Sequence, residues 1–205
     1  MVSKNQRRLQ EEARRREKAE AKHQRAQGPS RFNYVCENAA ELALVGPIFL
    51  ASWGVPEALA QQLLKEGKPV PPSVSGAILI DTGATITAIS MEAADELGLL
   101  PLRLSESYGL GGKHKHPVFR VAFAIGITDG RSGNVLQGEI DAAGIPDLEV
   151  VGEGLGLHVR NQRRRLIGLL GRDILQHAKL TYDGPQGKFA VEFDLQSILL
   201  QTPIT

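Results

Sequence analysis

The chain has 205 residues, 42% of them hydrophobic and 23% charged, with 24 Lys and Arg against 23 Asp and Glu. That length suits one domain with an appendage, and no run of about 18 apolar residues exists, which excludes a membrane-spanning helix. A single cysteine, Cys36, excludes an internal disulfide framework, and the basic start has no apolar export signal, so the expected location is cytoplasmic.

The net charge of +1 conceals a polarity along the chain. Residues 1–31 carry ten basic side chains against Glu11, Glu12, Glu17 and Glu20, a balance of +6; the remainder has 14 basic and 19 acidic groups, a balance of −5. Residues 4–27 are nearly all Gln, Arg, Glu, Lys and Ala, good helix formers, with Leu9 their one large apolar residue. Pairs such as Glu11 with Arg15 stabilise a helix by tenths of a kcal/mol, and Gly28-Pro29-Ser30 ends it. The expectation is therefore a charged helical or disordered arm over 1–31 and a domain over 32–205. Clustered Arg and Lys favour weak contact with a polyanion such as nucleic acid, whereas the interspersed glutamates oppose it and argue against a transit peptide.

Within the domain, Leu42 to Trp53 reads as a strand interrupted at Gly46-Pro47. Pro56-Glu57 opens a helix with Leu59, Leu63 and Leu64 on one side, closed by Gly67. Pro69, Pro71 and Pro72 form a linker. Ala77 to Ile80 is a short apolar strand, and the alternation Thr85 to Ile89 predicts its neighbour in the sheet. Ser90 caps a helix over 91–97 that ends at Gly98. Tyr108 to Gly112 has the composition of a hairpin tip, with a strand over 118–127 behind it and another over 135–140; 149–159 gives no clear signal. Leu166 to Leu170 is a second buried run, followed by a short helix over 173–177 and a hairpin of 179–182 with 188–193. Glycine at 22 positions, few aromatics and many short strands point to a small all-β barrel or sandwich.

Chemistry concentrates at Ile78-Leu79-Ile80-Asp81-Thr82-Gly83-Ala84. A carboxylate after three large aliphatics, at a strand end, sits where removal from water penalises the ionised form. Gly83 lets the backbone approach another chain closely, and the Thr82 hydroxyl suits a tight turn. About ninety residues later comes Leu169-Leu170-Gly171-Arg172-Asp173, again an apolar strand, a glycine and a short helix.

Together these motifs resemble the retropepsin-like aspartic proteases, in which a hydrophobic strand enters Asp-Thr/Ser-Gly-Ala and a later hydrophobic-hydrophobic-Gly element crosses beneath it. The resemblance covers roughly residues 42–194, with 56–67 as an insertion. It implies an all-β acid protease barrel with one or two short helices, and peptide hydrolysis by two aspartates that share a proton. The chain holds one Asp-Thr-Gly, so the second carboxylate would come from a second copy in a C2 homodimer. In that reading Asp81 is catalytic, while Thr82, Gly83 and Ala84 support its loop. Tyr108, Gly109, Leu110, Gly111 and Gly112 form a flap over the peptide, and no metal or cofactor is used. Where retroviral members carry an acidic partner for the arginine of the second motif, this chain has Thr85. Asp173 or a backbone carbonyl is then the expected partner of Arg172.

The remaining features read more plainly. His114 and His116, flanked by Lys113 and Lys115, are expected to form an exposed flap surface rather than a metal pair. Arg163-Arg164-Arg165 reads as a solvated loop that could favour acidic substrates. Cys36 reads as a small buried apolar residue, and Ile198-Leu199-Leu200 as core or dimer interface. The competing function is a catalytically silent module of the same fold that grips an extended peptide, or a dimerising domain for a nucleic-acid-binding arm.

Overall fold

The computed structural model describes residues 31–37, 39–109, 112–126, 135–156, 158–159 and 162–194. The arm up to residue 30, the flap residues Leu110 and Gly111, and Ile198-Leu199-Leu200 lie outside them, as do the side chains of Cys36, Tyr108 and Arg163.

The domain opens with β1 (Arg31–Glu37), a short helix α1 (Ala39–Leu44) and β2 (Ile48–Gly54). The expected single strand from Leu42 is thus a helix end followed by a strand. Leu42 is buried while Ala43 and Leu44 are exposed, one inward position per turn, and a short apolar run cannot by itself distinguish the two. Helix α2 (Glu57–Lys65) follows; Leu59 packs against the core but Leu64 is 65% exposed, so the apolar side is narrower than expected. The Glu139 carboxylate accepts a hydrogen bond from the Glu57 amide at 2.7 Å, satisfying one of the free N–H groups of that first turn.

Next come β3 (Val74–Ile80), β4 (Ala88–Ser90) and α3 (Met91–Glu96), with Ser90 Oγ accepting from the Ala93 amide at 3.1 Å as the expected cap. β5 (Arg103–Gly109) and β6 (Gly112–Gly126) form a long hairpin whose last described pair is Gly109 with Gly112. β7 (Val135–Ile145) returns along β6, and the stretch without a clear signal contains α4 (Leu148–Gly154) and β8 (His158–Val159). β9 (Gln162–Arg163), β10 (Leu166–Leu170), α5 (Arg172–Leu175), β11 (Ala178–Asp183) and β12 (Lys188–Asp194) complete the described chain.

Six strands close into a barrel in the order β2-β3-β10-β4-β7-β6, with β6 pairing back onto β2, and β5 extends the sheet beyond β6. β1, β12 and β11 form a separate three-stranded sheet. The architecture is mostly β, with five short helices among the described residues where one or two were expected. None of these helices is long and apolar enough to cross a membrane.

The barrel interior is filled by Phe49, Trp53, Ile78, Ile89, Val121 and Ile167 among others, and the Trp53 indole N–H donates to the Ile167 carbonyl at 2.9 Å. A smaller cluster of Ile48, Ala77, Leu148 and Leu166 fills the space between the outer face of these strands and α4. Strands buried on both faces read as unbroken apolar runs, which is why β10 has the bounds its sequence predicts.

One pairing matters most for the site. β10 lies between β3 and β4, parallel to the first (Leu170 opposite Ile80) and antiparallel to the second (Leu169 opposite Ala88). The expected strand over 85–89 is therefore corrected twice. Only Ala88–Ser90 is strand, and it does not neighbour β3, because β10 separates them.

Candidate active site

The loop from Asp81 to Thr87 joins β3 to β4 around the end of β10, and the residues after β10 hold it from below. The Asp81 amide donates to the Leu170 carbonyl at 3.0 Å, continuing the β3–β10 ladder by one residue. The Asp81 side chain turns back into its own loop, where Oδ1 accepts from the amides of Gly83 (2.8 Å) and Ala84 (3.2 Å). This is a local carboxylate turn of the kind that Asp favours. It fixes the orientation of the carboxylate and leaves Oδ2 without a hydrogen-bond partner among the described residues. A Cβ at position 83 would lie 3.0 Å from Oδ1, so a side chain there would crowd the carboxylate.

Gly171 passes directly beneath the loop. A Cβ on it would stand 2.5 Å from the Ile86 carbonyl carbon and 2.6 Å from its oxygen, closer than any side chain tolerates against backbone. The absence of a side chain is therefore a condition of the crossover. The Gly171 amide donates to Thr87 Oγ1 at 3.1 Å, and the Thr87 hydroxyl donates in turn to Asp173 Oδ1 at 2.8 Å. The Thr87 amide also points at the Asp173 carboxylate, 2.9 and 3.0 Å from its two oxygens. Thr87 is wholly buried, so this satisfied network replaces the water its polar atoms have lost.

Arg172 holds the outer half of the loop. Its Nη1 donates to the carbonyls of Thr82 (2.8 Å) and Gly83 (3.0 Å), and Nη2 to Thr85 Oγ1 (3.1 Å); its amide donates to the Ala84 carbonyl at 3.0 Å. Of the two expected partners for Arg172, the backbone carbonyl is the one observed, and Asp173 serves Thr87 instead. Sequence reasoning missed Thr85 and Thr87 as contributors because their alternation with Ile86 and Ala88 imitates a strand. Both hydroxyls face residues of the second motif.

The structure therefore brings Asp81, Thr82, Gly83 and Ala84 together with Leu170, Gly171, Arg172 and Asp173, while Leu169 pairs within the sheet. Thr82 and Gly83 are exposed and Asp81 half-buried in the single chain. Of the flap, the backbones of Tyr108, Gly109 and Gly112 are described, at the end of the β5–β6 hairpin. A cavity of about 550 Å³ lies elsewhere, lined by Ser52, Gly54 and Ser73 with Phe123 and Glu139. Ser73 precedes the first residue of β3, so this cavity belongs to the barrel end away from Asp81.

Arg165 departs from the solvated-loop reading. Its guanidinium binds Glu149 (2.6 and 2.7 Å) and Glu96 (2.6 and 3.4 Å), and the Glu149 carboxylate also accepts from the Ser90 hydroxyl at 2.9 Å. Hydrogen bonds to Glu149 first, and to Glu96 second, hold Arg165 above the usual arginine range. The cluster ties the start of β10 to α3 and α4. Among the described residues no group of three or more His, Cys, Asp and Glu is placed to hold a metal ion. Compared with protein-family models and with the curated proteins, the chain matches none.

Proposed function

We propose that this chain is a retropepsin-like aspartic endopeptidase working as a C2 homodimer, each copy contributing one Asp81 to a water-activating pair. The observation that carries the reading is the crossover itself: Leu170-Gly171-Arg172-Asp173 threads under Asp81-Thr82-Gly83-Ala84 and binds it through backbone and side chains. A carboxylate held this firmly at a strand end, with one oxygen committed to its loop, is oriented rather than merely solvated.

A single chain supplies one such carboxylate, and exposed Thr82 and Gly83 beside it leave room for a second copy. Two carboxylates about 3 Å apart cannot both ionise and so share one proton. The ionised group takes a proton from water as the water oxygen attacks the peptide carbonyl carbon. The other group passes its proton to the departing amide nitrogen, so one water is consumed and a carboxyl and an amine are released. In this reading Thr82 bonds across the dimer axis and Gly83 contacts the peptide main chain. The β5–β6 hairpin closes over the peptide and excludes water. The chemistry needs no metal or cofactor, and we place the enzyme in the cytoplasm.

The test is cleavage of a denatured protein and a peptide library between about pH 3 and pH 8, with wild type and Asp81→Asn compared and dimerisation followed by sedimentation. Asp81→Asn is expected to dimerise and to lose cleavage on the order of 10²–10⁴-fold. A wild-type dimer that binds peptides without cutting them at any pH would favour the silent peptide-binding module. Cleavage that survives Asp81→Asn would sink the mechanism.

A further inference from the structure

The β5–β6 hairpin carries a charge pattern that peptide hydrolysis does not require. From Val118 onward β6 pairs with β7, whereas residues 112–117 pair with β5, so 103–109 and 112–117 form a two-stranded arm leaving the barrel. The register places Ser107 opposite His114, Ser105 opposite His116 and Arg103 opposite Val118. Side chains alternate between the faces of a sheet, so Arg103, Ser105, His114 and His116 share one face. The two imidazole rings lie 6.1 Å apart, inclined by 30°.

At the base of this face Arg120 and Asp141 stand opposite each other, with Arg120 Nε 2.8 Å and Arg103 Nη2 3.5 Å from the Asp141 carboxylate. Two guanidiniums against one carboxylate leave the base with a positive charge. Neither β5 nor the arm portion of β6 adds an acidic residue to this face. Lys113, Lys115 and Glu106 lie on the opposite face, where Lys113 Nζ meets Glu106 Oε2 at 2.7 Å. Both faces of the arm are therefore cationic in a domain whose overall balance is −5.

We propose that the face formed by Arg103, His114 and His116 is a subsite for an acidic side chain of an extended peptide, so that preferred substrates carry Asp or Glu near the bond that is cut. The peptide-cutting part of this statement rests on the function proposed above; the subsite does not. The Arg103 guanidinium attracts a carboxylate by its charge, and the ring N–H groups of His114 and His116 on the same face can donate hydrogen bonds to the carboxylate oxygens.

The experiment measures binding separately from cleavage. Two fluorescein-labelled peptides of about 12 residues, extended and neutral except for three Glu in one and three Gln in the other, are titrated with the full chain carrying Asp81→Asn, so that neither is consumed. The Glu peptide is expected to bind roughly threefold to tenfold more tightly, the range that two or three exposed contacts supply. At the same pH the ratio should fall to about two in His114→Ala/His116→Ala, where Arg103 remains, and to about one when Arg103→Gln is added. A ratio near one in the unmodified hairpin, no binding of either peptide, or a ratio unchanged by the three substitutions overturns the proposal. So does displacement of the Glu peptide by an oligonucleotide at equal concentration, which would make the arm a general polyanion surface. With the wild-type chain, peptides that stay uncut refute the protease reading while the binding ratio still decides the subsite. Peptides cut without any ratio refute the subsite alone.

Discussion

Between Asp81 and Thr87, most polar groups meet a partner from a segment some ninety residues away in the chain: Leu170 for Asp81, Arg172 for the carbonyls of Thr82 and Gly83, Asp173 for Thr87. Along the described arm of the β5–β6 hairpin the backbone partners are local instead. β5 is laddered to residues 112–118 of β6, and Lys113 meets Glu106 with side chains 49% and 44% exposed. The first reversal is defined by tertiary structure and the second by its own pairing. Residues of the hairpin can therefore change without disturbing the floor on which Asp81 sits, whereas the floor has little freedom to vary.

This contrast predicts a graded series of substitutions, measured by urea denaturation at one fixed protein concentration because the proposed dimerisation would contribute to stability. Gly171→Ala should have the largest effect: its Cβ would collide with the Ile86 carbonyl, and we expect a loss of about 3 kcal/mol or more, or failure to fold. Thr87→Val keeps the shape but strands the Gly171 amide and part of the Asp173 carboxylate in the interior. A loss of about 1–3 kcal/mol should follow, largely restored by Thr87→Ser. Arg172→Ala removes three loop contacts from an exposed side chain, so stability should fall by about 1 kcal/mol while peptide cleavage falls further, near tenfold. Glu106→Gln in the hairpin should stay within about 0.5 kcal/mol. If Glu106→Gln destabilised the chain as much as Thr87→Val, the two reversals would not differ in the way described.

The same distinction explains what the sequence revealed. β10 is visible at its observed bounds because a strand buried on both faces is apolar at every position, from Leu166 to Leu170. The Ser90 cap is visible because it acts within three residues. Asp81 and Gly171 stand out as motifs, but their contact depends on a strand inserted between two others, and no local pattern encodes that. Thr85 and Thr87 were hidden for a related reason: a hydroxyl that serves a distant Arg172 or Asp173 looks, in sequence, like the polar position of an alternating strand. The helix at Ala39–Leu44 was misread because Leu42 faces the core while Ala43 and Leu44 do not, and three residues cannot set a period. Arg165 was read as solvated because Glu96 and Glu149 reach it from different helices.

The insertion of β10 also sets an order of events during synthesis. β3, the Asp81 loop and β4 leave the ribosome some eighty residues before the strand that joins them, which includes Leu169 and Leu170, and the residues that fix the loop extend to Asp173. Until then β3 and β4 each carry an unpaired edge, a state prone to wrong pairing. Pairing across so long a separation also makes folding slow. The proposed cutting chemistry therefore stays switched off in the nascent chain until the segment through Asp173 has been made and has inserted between β3 and β4.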